Sequence, residues 1–193
     1  MKFEYEIGAT PYMEADYYNL IPKHITLQKE LNEWEQANIL GAINWAFNNK
    51  KSKILEADFI KKLHFKMFNE TWKWAGKYRQ YQTNIGCQSY EIEVKLHELL
   101  SNIKYFIENQ IYDLEEIAVR LHHGLALIHC FPNGNGRHAR IMADLFLFNN
   151  SFARFTWGRG SLYESSEIRK KYISALRLAD NFNFIPLIEF AKS

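Results

Sequence analysis

The chain has 193 residues and a mass of 22.9 kDa, room for one compact domain with at most a small arm. Apolar residues at 47% and aromatics at 16% supply a real core, and a net charge of +2 is too small to imply nucleic-acid binding. No apolar run approaches the roughly 20 residues that span a bilayer. The opening "MKFEYEIGATPY" lacks the apolar stretch of a secretory signal, and the only cysteines, Cys87 and Cys130, sit in unrelated contexts. Cytoplasmic residence is therefore expected, with no membrane partner, no direct nucleic-acid partner and no disulfide framework. The lysines Lys50, Lys51, Lys53, Lys61, Lys62 and Lys66 alternate with Glu56 and Asp58 and read as a solvated helix face.

Few prolines and glycines interrupt the chain, which favours long helices. Residues 1–25 read as irregular, stopped by Pro11 and Pro22. Thr26 is an N-cap candidate for a helix running to Asn48, with Leu31, Trp34, Ala37, Asn38, Gly41 and Trp45 on one stripe. A second helix is expected through "EADFIKKLHFKMFNETW", with Phe59, Leu63, Met67 and Phe68 on one side. The stretch "GKYRQYQTNIGCQSYEIEV" has glycines, tyrosines and partial alternation, and predicts a short hairpin or extended flap. Helical texture resumes at "KLHELLSNIKYFIENQ" and at "LEEIAVRLHHGLALIHCF", where Leu114, Ile117, Leu121, Leu125 and Ile128 repeat at buried-stripe spacing. It continues in "RHARIMADLFLFNN", in a helix near Ser165 to Leu178, and in a short one at the end. The whole reads as one all-α domain with one small β excursion.

Between two of these helices lies "HCFPNGNGRHAR", residues 129–140. Pro132, Gly134 and Gly136 end one helix, and the next begins within a residue or two of Gly136. The first amides of that helix then face the loop, and its dipole adds partial positive charge. The glycines permit close approach of a bulky anion, and Arg137 and Arg140 add full charges one turn apart. A di- or triphosphate suits such an extended set of donors. His129 faces the same loop, where a neutral imidazole can take a proton from a hydroxyl. Phe131 is the expected plug into the core, and Asn135 can fasten the loop or contact phosphate through its amide.

The segment resembles the signature of Fic-domain proteins, H-x-F-x-(D/E)-G-N-G-R-x-x-R, through His129, Phe131, Gly134, Asn135, Gly136, Arg137 and Arg140. Upstream, Trp74, Ala75, Gly76 and Arg79 are similar to the W-A-G-x-x-R stretch of the family. Downstream, "YISALRLADNFNFIPLIEF" resembles its closing helices. "GATP…LIPKHIT…LNEWEQANI" further resembles a bacterial subgroup, mobile mystery protein B, commonly encoded beside a helix-turn-helix partner. The resemblance implies an all-α Fic-type helical bundle with a small β-hairpin flap. Residues 1–54 would be an N-terminal arm and helix packing on the core, and residues 55–193 a Fic-like single compact unit. It also implies AMP transfer from ATP to a Tyr, Thr or Ser hydroxyl of a target protein, with Mg²⁺ as cofactor. His129 would be the base. Gly134, Asn135, Gly136 and Arg137 would hold the α- and β-phosphates, and Arg140 the γ-phosphate. Thr83, Asn84, Ile85 and Gly86, within a flap from Thr83 to Tyr90, would pin the target as an added strand.

The chain departs from the pattern at three places. Asn133 stands where the family has the Asp or Glu that holds Mg²⁺, and a neutral amide oxygen is a weaker ligand for a hard cation. Slower AMP transfer, use of another nucleotide, and binding without turnover all stay open. Cys130 replaces a common proline, and a small buried residue suffices there. Many members carry an inhibitory helix, S/T-x-x-x-E-G/N, whose glutamate pairs with the second arginine of the motif, here Arg140. Glu30, four residues after Thr26, and Glu35, in "WEQAN", are the two candidates for that role, and ordinary exposed acids explain them equally well. A metal hydrolase is a weaker rival: His122, His123, His129, Cys130 and His138 crowd together, but at no recognised ligand spacing. The more serious alternative is a nucleotide-binding, non-catalytic partner in a toxin–antitoxin-like pair. Trp157, Gly158 and Arg159 are candidates to lie near the base of the nucleotide.

Overall fold

The computed structural model describes residues 16–48, 50, 53–159 and 167–193. Of residues 1–25, read as irregular, 1–15 lie outside the described set, as do residues 160–166, while Asp16–Asn19 form a short helix instead. Among the described residues the fold is helical, with no strand beyond one isolated antiparallel bridge, Leu20 to Trp72. The helices are α1 (Asp16–Asn19), α2 (Gln28–Phe47), α3 (Ala57–Phe68), α4 (Ile92–Glu108), α5 (Leu114–Ile128), α6 (Asn135–Asn149), α7 (Glu167–Ala179) and α8 (Ile185–Lys192). Two short 3₁₀ turns, Ser89–Glu91 and Trp157–Arg159, flank the bundle.

α6 is buried along most of its length: Asn135, His138, Ala139, Ile141, Met142, Ala143, Leu145, Phe146 and Leu147 are all buried. A helix of that kind belongs in the middle of a bundle. It lies antiparallel to α5 across the short connection 129–134 and also touches α2 and α3, while α4 and α8 cover α5. The predicted stripe on α5 is buried at Ile117, Leu121, Leu125 and Ile128, and only half-buried at Leu114. Asp113 caps that helix, its Oδ1 accepting the Glu116 N–H at 2.7 Å.

Helix α2 corrects two expectations. It starts at Gln28 with Leu27 as its cap, not at Thr26, because Glu30 Oε2 accepts the N–H groups of Thr26 and Leu27, both at 3.3 Å. Its buried face is Leu31, Glu35, Ile39, Ala42 and Ala46, one step round from the predicted stripe. Trp34 stays at the rim, its indole donating to Glu70 O at 3.1 Å. The rotation turns Glu35 inward, and the rest of the stripe follows. A carboxylate breaks an apolar pattern only where partners wait for it, and two do.

The segment 77–88 is not a hairpin. Its backbone groups are spoken for elsewhere: Cys87 N–H reaches Ile128 O at 3.4 Å, and the carbonyls of Tyr81 and Cys87 accept from Arg79. Thr83 Oγ1 donates to Ile85 O at 2.6 Å, and Gln82 Nε2 donates to Thr83 O and Gly86 O, both at 3.3 Å. Such side-chain-to-backbone bonds compete with a ladder and close the chain into a compact loop.

Candidate active site

His129 is the C-cap of α5, in the left-handed region at φ 57°, ψ 59°. For a side-chain-bearing residue that conformation costs about 1 kcal/mol or more and persists only where neighbours enforce it. They do so densely. Arg79 N–H donates to Cys130 O at 3.0 Å, and Arg79 Nε to His129 O at 2.7 Å. Phe131 is buried with its ring stacked on His64, centroids 3.7 Å apart. Asn135 closes the turn from the far side: its Oδ1 accepts Phe131 N–H at 2.9 Å and its Nδ2 donates to Phe131 O at 2.8 Å. Both ends of that amide are thus engaged with Phe131, the fastening role of the two foreseen for Asn135.

His64 ties this turn to the W-A-G stretch. Its Nδ1 accepts Gly76 N–H at 3.0 Å, so the proton sits on Nε2, which donates to Asn133 O at 3.0 Å. His138 Nε2 donates to Ile60 O at 3.0 Å. Burial holds His64 well below the usual histidine range and His138 at about 4, so both are neutral hydrogen-bonding wedges at pH 7.

The two glycines of the motif do different work. Gly134 has φ 78°, and a Cβ there would sit 2.4 Å from Cζ of Phe68. An aromatic ring packs against it, and its left-handed φ is one that side-chain-bearing residues rarely adopt. A Cβ on Gly136 would meet only Arg140 Nη1 at 3.7 Å and Tyr172 Oη at 3.9 Å. The backbone at Gly136, in the first turn of α6, therefore lies at ordinary contact distance from a guanidinium and a phenol.

The arginines also differ. Arg137 Nη1 pairs with Glu35 Oε2 at 2.6 Å, while Glu35 Oε1 accepts the Trp72 indole N–H at 2.6 Å. These are the two partners that draw Glu35 inward. Arg140 lies over the Tyr172 ring, 5.4 Å to the centroid, and makes no ion pair among the described residues. Glu30 remains at the start of α2 as its capping acid. Tyr172 Oη and His122 Nε2 are 2.9 Å apart, and Trp157 donates through Nε1 to Asp144 Oδ1 at 3.1 Å. Burial pushes Asp144 up to about 7.

His129 is 6% exposed. Burial lowers its imidazole to about 4, opposed by a hydrogen bond to the Ala126 carbonyl and assisted by the nearby Arg79 charge. The N–H donated to Ala126 leaves the other ring nitrogen as a proton acceptor at neutral pH. The flap lies directly against it, since a Cβ on Gly86 would come within 2.6 Å of the His129 Cβ. Gly86 is thereby brought against His129, and Ile85, one residue before it, is among the exposed apolar side chains.

The donor set is poor for a hard cation. Asn133 Oδ1 accepts the adjacent Gly134 N–H at 2.6 Å, and among the described residues no three His, Cys, Asp or Glu side chains converge. The clustered histidines point to separate partners, His122 to Tyr172, His123 to Asp180 and His138 to Ile60. Burial pushes the Cys130 thiol up to about 12. Sequence reasoning assigned no role to His64, Tyr172 or Arg79; for Arg79 the signal was there, in the W-A-G-x-x-R stretch.

The class these features define is a helical bundle with a helix–glycine turn–helix motif. The model of the Fic/DOC family matches residues 54–147, and the chain is a Fic-domain protein over that stretch. Solved structures agree on the fold. BepC, a VirB-translocated effector from Bartonella tribocorum solved with AMPPNP bound, has a TM-score of 0.67 at 15% identity over 93% of this chain and 97% of that one. The N-terminal Fic domain of a Bep effector from Bartonella quintana, with ADP bound, has 0.65 at 18% over 87% and 86%. Fic-1 of C. elegans, residues 134–508, has 0.65 at 18% over 89% of this chain and 51% of that one. The chain likewise spans 66% of a Fic-domain signaling protein from Bacteroides thetaiotaomicron. No curated protein matches the sequence. No helix among the described residues is long and apolar enough to cross a membrane.

Proposed function

We propose that the protein transfers AMP from ATP to the hydroxyl of a Tyr, Thr or Ser side chain on a target protein. The observation that carries this reading is the position of Gly136 at the N-terminus of α6, its backbone beside the Arg140 guanidinium and the Tyr172 hydroxyl. That helix end, with its dipole and first-turn amides, suits a polyphosphate. Relatives of the same fold solved with AMPPNP and ADP support the choice of nucleotide.

The acceptor nitrogen of His129 takes the proton of the target hydroxyl. The hydroxyl oxygen attacks the α-phosphorus in line, the bond from that phosphorus to the β-phosphate oxygen breaks, and pyrophosphate leaves. The amides of Gly136 and its neighbours meet the charge that moves onto the leaving group, and Arg140 grips the γ-phosphate. Asn135 serves by holding the turn. A divalent cation arriving with ATP neutralises phosphate charge, and in this chain phosphate oxygens and water would hold it more than Asn133.

The test is label transfer from α-labelled ATP, with Mg²⁺ and host lysate. Label on lysate proteins that vanishes with His129→Ala is expected, a loss of about 10³-fold for a general base. ATP binding without label, under any nucleotide or metal, overturns the reading.

The Glu35–Arg137 pair favours one further reading, a self-restrained form. Glu35 engages the first arginine of the motif, not Arg140 as the family pattern implies. A bound β-phosphate must compete with that carboxylate for Arg137. Glu35→Gln keeps an acceptor for Trp72 but releases the charge, and should tighten ATP binding about fivefold. Unchanged affinity with a lowered melting temperature would make Glu35 a purely structural pin.

A further inference from the structure

Arg79 is 1% exposed, and among the described residues no carboxylate pairs with it. A buried cation is costly unless every donor is met, and here carbonyl oxygens do the work, with Cys87 Sγ at 3.9 Å from Nη2. Nε donates to His129 O at 2.7 Å and Nη2 to Ile128 O at 3.3 Å, both on the turn that ends α5. Nη1 donates to Tyr81 O at 3.0 Å and Nη2 to Cys87 O, at the two ends of the flap. The backbone adds Arg79 N–H to Cys130 O and Cys87 N–H to Ile128 O. Gly86 completes the contact, for a Cβ there would sit 2.6 Å from the His129 Cβ and 2.9 Å from Arg79 Nη2.

One planar fork therefore spans both ends of the flap and the turn of the base. A lysine ammonium, donating from a single point, cannot reach all of these carbonyls. The flap cannot leave His129 without stripping partners from a buried charge. We propose that Arg79 is a positioning residue that joins the flap and the His129 turn into one mechanical unit. A target strand docked on the flap then arrives at a fixed distance from the imidazole. The catalytic consequence rests on the transferase reading above; the joining itself does not.

The experiment compares full-length wild type, Arg79→Lys, Arg79→Ala and Gly86→Ala by amide hydrogen exchange, ATP affinity and target labelling. In Arg79→Lys, residues 80–88 and 128–131 should lose protection together, by about tenfold or more, while α4 and α8 keep theirs. ATP affinity should hold within about twofold and kcat should fall about 30-fold, because a misplaced reactant costs rate rather than nucleotide binding. Methylguanidinium added to Arg79→Ala should restore part of both protection and rate, which a merely structural loss would not allow. Gly86→Ala, which sets a methyl group against both His129 and Arg79 Nη2 while keeping the guanidinium in the chain, guards against an unfolded arginine variant. It should lower kcat in the same way. Loss of protection in one segment while the other stays closed, or Arg79→Lys labelling at the wild-type rate, overturns the proposal. A wild-type protein that transfers nothing sinks the transferase reading instead, and the exchange data still decide the joining.

Discussion

The turn at 129–136 and the flap at 80–88 touch each other but are held in opposite ways. The turn is wedged from several sides by buried neutral side chains: His64 on Asn133 O, Asn135 on Phe131, and the Phe68 ring against Gly134. The flap is knotted by its own side chains, the half-buried Thr83 and the exposed Gln82, and meets the rest of the protein through Arg79 and Cys87. A site that must hold a nucleotide steadily gains from the first construction. A surface that must admit a varied target chain gains from the second. The contrast predicts that disturbing the turn costs stability, whereas disturbing the flap costs recognition.

The largest expected effect is acid. His129 and His138 are held at about 4 by burial, below the ordinary histidine value of about 6.5. The unfolded chain then binds protons first. Stability is complete above about pH 6.5 and falls as the pH drops from there toward 4. Each group contributes about 3 kcal/mol over that window, and His64 and His122 act in the same direction. Melting temperature measured from pH 7.5 to 4.5 should fall steeply below 6.5. A flat profile would mean that the wedges holding the turn are not neutral imidazoles.

Next comes the difference between the two glycines. Gly134→Ala forces a side chain into a left-handed position against Phe68 and should cost about 3 kcal/mol, read as a lowered denaturant midpoint. Gly136→Ala meets nothing closer than 3.7 Å and should leave the midpoint within about 0.5 kcal/mol while weakening ATP binding. Equal stability losses would erase the distinction between a packing glycine and a site glycine.

How much of this was legible beforehand follows the same division. The turn could be read because Phe131 and Asn135, which fasten it, lie four residues apart within the glycine-rich stretch itself. The α5 and α6 helices could be read because their apolar spacing is strong. The flap was misread as a hairpin because its backbone is claimed by Arg79 and Ile128, and nothing local announces such partners. The same holds for α2. Glu35 looked like a surface acid until Trp72 and Arg137, far along the chain, were seen to meet it. The Phe68 ring that packs on Gly134 is likewise placed there by no spacing rule.

Position 133 sharpens the comparison within the turn. The Asn133 side chain accepts its neighbour's N–H, and its carbonyl is fixed by His64, so the backbone is ready for a ligand whose side chain is the wrong one. Asn133→Asp supplies a charged oxygen on the same frame. AMP transfer in Mg²⁺ should rise about tenfold, equivalent to about 1.4 kcal/mol of transition-state stabilisation. A flat rate with Mg²⁺ still required would show that the cation is placed entirely by phosphate and water.

The smallest effect is expected in the flap. Thr83→Ala removes the hydroxyl that holds Ile85 O at 2.6 Å and touches nothing in the core. The site is accessible to water, so the lost bond is largely replaced and the denaturant midpoint should move by less than about 0.5 kcal/mol. The loop closed by that bond carries Ile85 outward beside His129, and loosening it raises the ordering cost that a docking chain must meet. KM for the target should rise about threefold, with KM for ATP unchanged. Were ATP affinity to fall by the same factor, flap and turn would be one binding surface rather than two constructions in contact.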